Sequence, residues 1–310
     1  MKAIFSSRPD THYNDDITYR YQFPRNYLRV AERTIGDWII FHQTQRGSGR
    51  AGYFSRARVE NVVPDTENPR RYYAILSSYE QFYRVVPFRK PDDTYWENSL
   101  RDLSPDRVGV NIRGKSVRII SERDYTEIVF MGFAELLRRS NVDRLELHDA
   151  LDPLYDPTKE PELQDATTRE RIVQSLTSNR ILRDAAFRGL VLDAYDDTCA
   201  ITGLCIVNGQ GKVETNAAHI RPVADNGPDV VRNGLALSAT CHWAFDRHLL
   251  SLSDDGELIL SKNLTRRFRS LLPVEGEKIY LPSDESLRPN PAFLAHHREI
   301  FESKWGSPVS

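Results

Sequence analysis

Residues 199–250 read CAITGLCIVNGQGKVETNAAHIRPVADNGPDVVRNGLALSATCHWAFDRHLL, and the rest of the chain is understood outward from them. Their middle, 212–220, is an extended polar segment ending in Ala218-His219-Ile220, and a Gly/Pro/Asn-rich loop follows it. Asn233-Gly234 then precedes a short apolar run. Ser238 is a favourable helix cap, and the helix it opens carries His242 and Asp246. Those two are four positions apart, so their tips lie close together on one helical face. A histidine on a strand, a loop fixed by an asparagine and a His/Asp pair on the next helix can set a general base beside a hard divalent metal.

Over this block the chain resembles, residue by residue, the HNH nuclease family, in which two strands and a helix hold one metal against the scissile phosphate. The resemblance implies His219 as the base, Asn233 as the residue that ties the loop, and His242 with Asp246 as metal ligands. It also matches Cys199-Ala200-Ile201-Thr202-Gly203 to the opening of the domain. The implied ion is Mg²⁺ or Mn²⁺, since imidazole and carboxylate donors suit these rather than a structural zinc. One departure stands at Ala218, where many relatives carry Asp or His as a further ligand; Glu214 and Asn216 share its strand parity and nothing else recommends them. Each residue alone has an ordinary structural use: a lone His is more often a satisfied core residue, and an i,i+4 His/Asp pair is a common helix contact. Their joint order behind Asn233-Gly234 is what carries the reading. His248, six residues past His242, is poorly placed to share its metal.

At 310 residues, with 40% hydrophobic and 28% charged, the chain is long enough for two domains. No apolar run approaches the length of a membrane span. The first ten residues have a single lysine and no sustained apolar segment, so a secretory signal is not expected and a cytoplasmic enzyme is. The 3 cysteines, Cys199, Cys205 and Cys241, are too few for a four-thiolate zinc site and fit a reducing compartment. With 42 basic against 44 acidic side chains, loose coating of nucleic acid is disfavoured, because non-specific affinity grows with neutralised phosphates. The charge is nevertheless local: Arg46, Arg50, Arg56, Arg58, Arg70 and Arg71 gather in the first part, while acids crowd 143–165.

In the first part, 19–23 alternates aromatic and polar side chains, 38–41 is a continuous apolar strand, and further strands are expected at 51–63, 72–76 and 82–88. Gly36-Asp37-Trp38-Ile39-Ile40-Phe41 followed by Gly52-Tyr53-Phe54 and Ala57-Arg58-Val59 is similar to the PUA-like superfamily, in its EVE and YTH-like branch. That resemblance implies nucleic-acid binding and an aromatic slot for a modified base, with Trp38, Tyr53, Phe54 and Trp96 as candidate walls. Core packing is the competing use of each. Arg46 and Arg50 lie in a Gly-containing loop that can follow a phosphate backbone, and Arg113 precedes a Gly-x-Ser-Val-Arg segment that can face DNA. Residues 124–139 are apolar at helical spacing, and 141–167 is acidic and broken by Pro153, Pro157 and Pro161.

The expected fold is α+β with two domains. Residues 1–140 would form a PUA-like curled barrel or mixed sheet with helices, 141–167 a linker, and 168–310 a ββα-metal HNH core braced by helices. The pairing resembles modification-dependent restriction enzymes of bacteria, which implies phosphodiester hydrolysis in double-stranded DNA bearing 5-methyl- or 5-hydroxymethylcytosine. A homodimer would supply the second cut of a double-strand break. Two alternatives stand beside it: a nucleic-acid-binding protein whose inactive nuclease core is a scaffold, which Ala218 favours, and a repair or mobile-element nuclease that reads no modified base.

Overall fold

The apolar run at Trp38 lies within a six-stranded sheet in a computed structural model of the protein, which describes residues 1–7, 16–44, 51–178, 180–209 and 211–306. Arg46 and Arg50 fall outside those residues. The chain divides into two units, Met1–Arg139 with Asp149–Arg183, and Ser140–His148 with Asp184–Ser310.

In the first unit the strands are β1 (Ala3–Ser6), β2 (Arg20–Pro24), β3 (Trp38–Gln43), β4 (Gly52–Pro64), β5 (Arg71–Pro87) and β6 (Val117–Ile119). They lie in the order β2-β5-β4-β3-β1-β6; β1 and β3 run parallel and the remaining pairs antiparallel. The sheet is curled: β2 and β1 are far apart in that order, yet the rings of Tyr21 and Phe5 are 5.0 Å apart and the Tyr21 hydroxyl donates to the Ser6 carbonyl at 2.9 Å. Bulges in β4 beside Tyr53, Arg56 and Val59 supply the bend. They also account for a difference from the sequence: 72–76 and 82–88 belong to one 17-residue strand, whose bend is absorbed near Ser78 at φ 49° rather than by a break. The hollow of the curl is filled by Phe5, Tyr21, Phe41, Phe54 and Tyr79.

Helices α1 (Leu28–Glu32), α2 (Asn98–Arg101), α3 (Pro105–Ile112) and α4 (Glu122–Phe133) accompany the sheet. Ser121 caps α4 by accepting from the Asp124 amide at 3.0 Å. At Gly132 an added Cβ would lie 2.5 Å from the Phe82 ring, so only glycine lets α4 press this closely on β5. After α5 (Arg139–Leu145), which belongs mostly to the second unit, α6 (Ala166–Ser178) returns to the first. This differs from the expectation that everything from 168 onward braces the nuclease. The fully buried Arg56 explains it: Nε and Nη2 meet the Glu80 carboxylate at 2.7 and 2.6 Å, while Nη1 reaches Thr177 Oγ1 and Nη2 the Leu176 carbonyl, each at 3.1 Å, tying α6 to the sheet. Arg56 is therefore an internal cation and no part of a phosphate-facing cluster.

The proposed aromatic walls need a similar correction. Tyr53 is fully buried and donates to Glu97 Oε1 at 2.8 Å, where Arg118 also pairs in two hydrogen bonds of 2.7 and 2.6 Å. Phe54 stacks on Phe41 at 6.2 Å. Trp96 is buried and donates from Nε1 to the Pro87 carbonyl at 2.9 Å. Trp38 is half-buried beneath the Arg56 guanidinium, 4.5 Å from its ring centroid. Tyr53, Phe54 and Trp96 are each packed among protein groups, so their rings serve the core of this unit. Arg113 alone of the described reader residues is exposed.

From Asp149 onward the acidic stretch is anchored within the first unit: Arg138 pairs with Glu135, Glu160 and Glu162, Arg171 with Asp152, and the Tyr155 hydroxyl donates to the Leu137 carbonyl. The second unit holds α7 (Arg180–Ala194) from residue 184 onward, β7 (Asn216–His219), β8 (Gly234–Leu237), α8 (Ala239–Asp246), β9 (Leu250–Leu252), β10 (Leu258–Leu260), α9 (Arg266–Arg269) and α10 (Pro291–Trp305). Its strands form two two-stranded sheets, β7-β8 and β10-β9, so the fold is α+β in two parts as expected. Among the described residues no helix is long and apolar enough to cross a membrane.

Candidate active site

His219 ends β7 directly opposite Gly234, the first residue of antiparallel β8. The glycine is required there: an added Cβ would stand 2.4 Å from Val191 Cγ2 and 3.1 Å from Phe187 Cζ. In the space it leaves, the Phe187 ring of α7 lies flat on the imidazole, centroids 3.9 Å apart and planes 11° from parallel. The ring's edge is fixed by Asp229, whose Oδ1 is 2.8 Å from His219 Nε2. Because a carboxylate only accepts, Nε2 must carry the proton, which leaves the Nδ1 lone pair free to take one. Sequence reading missed both Asp229 and Phe187. Pro228-Asp229 reads there as a turn dipeptide, and nothing local shows that it folds back onto the histidine.

Asn233 is fully buried. Its Nδ2 donates to the carbonyls of Arg221 and Pro228, both at 3.0 Å, and its Oδ1 accepts from the Arg221 amide at 2.9 Å. The amide thus staples the two ends of the loop that delivers Asp229. Gly227 sits inside the staple, where a Cβ would lie 1.9 Å from the Arg221 carbonyl oxygen.

Ser238 opens α8, accepting from the Cys241 amide at 3.4 Å, and Glu214 accepts from the Ala239 amide at 2.7 Å. Glu214 is thereby occupied as a second helix cap. His242 Nε2 and Asp246 Oδ2 are 3.4 Å apart on the partly exposed face of this helix, one nitrogen and one oxygen donor at the spacing a shared cation needs. Among the described residues no group of three or more His, Cys, Asp and Glu side chains is placed to hold a metal ion. Ala218 is fully buried opposite Leu235 and offers no donor. Two protein donors suit an ion that keeps most of its shell as water and phosphate oxygen, the habit of Mg²⁺.

The surrounding packing is structural. Cys199 and Cys241 are buried and unbridged, and the Ala200 amide donates to the Ala236 carbonyl of β8 at 2.7 Å. His297 of α10 stacks on Phe245 at 3.9 Å and hydrogen-bonds to Ser251 at 3.0 Å, with burial driving its pKa down to about 3; Arg298 holds the Leu252 carbonyl and Asp254. Both are fastened to protein as a cap over the core. His248 engages Lys304 through Nδ1 at 3.0 Å and stacks on His297 at 4.6 Å.

Comparison with known proteins places this geometry. Residues 199–253 match the family model described as HNH endonuclease. No curated protein matches the chain. Among solved structures, the chain is similar to the modification dependent TagI restriction endonuclease at 14% identity and TM-score 0.31, covering 88% of this chain and 64% of that one. It is also similar to the type IV phosphorothioation-dependent restriction endonuclease ScoMcrA, at 15% identity and TM-score 0.20, over 97% of this chain and 53% of that one. An NMR structure of Rpa0253 from Rhodopseudomonas palustris covers 42% of this chain and 92% of its own, at 12% identity and TM-score 0.30. The chain thus spans less than two thirds of the length of either restriction endonuclease.

Proposed function

We propose that the protein is a divalent-metal-dependent DNA endonuclease of restriction type, acting on DNA that carries a modified cytosine. The carrying observation is the His219–Asp229 contact at 2.8 Å, in a loop stapled by Asn233 and preceding the helix that bears His242 and Asp246. In this reading His219 Nδ1 takes the proton of the attacking water, and Asp229 steadies the imidazolium that results. Phe187 keeps the ring from swinging. Asn233 fixes the loop, so that the base does not drift from the water it must reach. His242 and Asp246 would hold the ion, which would supply neutralisation of phosphate charge and help for the leaving oxygen. Mg²⁺ and Mn²⁺ both suit this donor pair.

Base selection is assigned to the first unit on its sequence resemblance to EVE-like domains. Tyr53, Phe54 and Trp96 are buried, so Arg113 together with Arg46 and Arg50 are the DNA contacts to test first. Because one site cuts one strand, a homodimer is the proposed cutting unit for double-stranded DNA.

The test is cleavage of otherwise identical duplexes carrying cytosine, 5-methylcytosine, 5-hydroxymethylcytosine or its glucosylated form, with Mg²⁺ and Mn²⁺ supplied separately. Cutting confined to a modified duplex and abolished by chelator is expected. Equal cutting of all four would remove the modified-base reading, and metal-dependent activity unchanged in His219→Ala would remove the assignment of the base.

A further inference from the structure

Past its first turn, α8 turns His242, Trp243, Asp246 and Arg247 wholly or partly to solvent while Cys241, Ala244 and Phe245 are buried. Helical spacing sorts the four into two adjacent pairs, His242 with Asp246 and Trp243 with Arg247. The first is the candidate metal pair. In the second, the indole is 53% exposed and the Arg247 guanidinium lies 4.2 Å from its ring centroid, with Nη1 donating to the Trp243 carbonyl at 3.3 Å. Among the described residues no carboxylate pairs with Arg247, so its remaining donors are uncommitted. An indole is a large apolar surface that a fold ordinarily buries, with its N–H satisfied. Here it is left in water, flat beneath a cation, on the edge of the helix next to the metal pair.

We propose that Trp243 and Arg247 form a nucleotide-gripping edge beside the cut: the indole packs on the apolar face of a nucleotide adjoining the scissile phosphate, and Arg247 takes a neighbouring phosphate. The proposal rests on the nuclease reading given above. Charge complementarity selects the occupant. A strand of nucleic acid alternates flat rings with anions, and an aromatic face carrying an unpaired guanidinium offers the matching alternation. The offset between the pairs is one residue, about 1.5 Å along the helix and about 100° around it. A phosphate held at His242 and Asp246 therefore brings the next nucleotide within reach of the indole. The base and the deoxyribose are the two faces available, and the experiment separates them.

With Ca²⁺ in place of Mg²⁺, so that the ion site is filled while cutting is suppressed, binding is read by titrating intrinsic fluorescence with a short duplex carrying the cleavable modified cytosine. Wild-type protein is expected to show quenching. Trp243→Phe loses that quenching and keeps its affinity within about threefold, because a phenyl ring still stacks, whereas Trp243→Ala binds about tenfold more weakly. Arg247→Ala lowers the slope of log affinity against log salt by about one. Placing an abasic site next to the cut abolishes the quenching when the base is the partner and preserves it when the deoxyribose is. Both tryptophan variants should melt with wild-type protein, since the side chain is half in water. Quenching unchanged in Trp243→Phe, or wild-type affinity and kcat/KM in Trp243→Ala, overturns the proposal. Protein that binds and is quenched but cuts nothing with Mg²⁺ or Mn²⁺ refutes the nuclease reading and leaves the Trp243 contact standing; full-rate cutting by Trp243→Ala does the reverse.

Discussion

His219 and Asp229 stand ten positions apart in the chain and 2.8 Å apart in space, and that closure depends on a third residue that touches neither ring nor substrate. The two supports should fail differently. Asp229→Asn keeps an acceptor but loses the charge that stabilises an imidazolium, so kcat is expected to fall about a hundredfold with little change in melting temperature. Asn233→Ala removes three hydrogen bonds from a buried site, so it should lower kcat and also cost about 3 kcal/mol of stability in denaturant. Equal melting temperatures for the two variants would contradict this division of roles. In the first unit, burial and the nearby Arg118 charge hold the His42 imidazole neutral, with its pKa lowered from 6.5 to about 3, and its Nδ1 has no hydrogen-bond partner among the described residues. The unfolded chain therefore takes up the extra proton as pH falls through 6.5. The stability is complete above that pH and is lost progressively toward pH 3. His42→Phe retains a ring between Tyr53 and Phe88 without the proton site. It should recover about 2 kcal/mol of the loss between pH 7 and pH 5, seen as a flatter dependence of melting temperature on pH.

At the scale of elements, one buried guanidinium decides where a helix belongs. Arg56 joins β4 to β5 through Glu80 and to α6 through Leu176 and Thr177, so Arg56→Ala strands a buried carboxylate and frees the end of α6. Destabilisation of about 3–5 kcal/mol is expected, with early loss of amide protection across 166–178 in hydrogen exchange. Uniform loss across the unit would separate α6 from Arg56. The allegiance of α6 was not legible in the sequence, because an apolar stripe marks which face of a helix is buried and says nothing of which surface buries it. Arg56 misled for a related reason: arginines are mostly exposed, and here Glu80, Tyr125, Thr177 and the Leu176 carbonyl, with Trp38 against the guanidinium, make burial tolerable. What was legible is local or stepwise, including the His242/Asp246 spacing, the Ser238 cap and the strand ending in His219. Asp229 and Phe187 were hidden because a loop return and a distant helix bring them in. Whether Tyr53, Phe54 and Trp96 wall a pocket or fill a core is not legible in the sequence, since residue type alone cannot tell a lined slot from a filled core.

For the whole molecule, charge and stoichiometry constrain how the proposed nuclease would cut DNA. With 42 basic and 44 acidic side chains the chain has no net positive charge to hold a duplex loosely while one site visits both strands. Each chain carries a single His219 and a single His242/Asp246 pair, and the two strands of a duplex run in opposite directions. A second copy related by a two-fold axis presents the same site in the opposite sense, which is the arrangement a double-strand break requires. On supercoiled plasmid bearing the cleavable base, low protein concentration should then yield nicked circles that accumulate. Raising the concentration should yield linear DNA directly, with the linear-forming rate growing faster than in proportion to protein. Mixing wild-type chains with an excess of His219→Ala chains should convert linear product back to nicked circles, since mixed dimers cut one strand. Linear product whose share is independent of both concentration and mixing would mean that one chain turns over on the two strands in succession, and the dimer would be unnecessary.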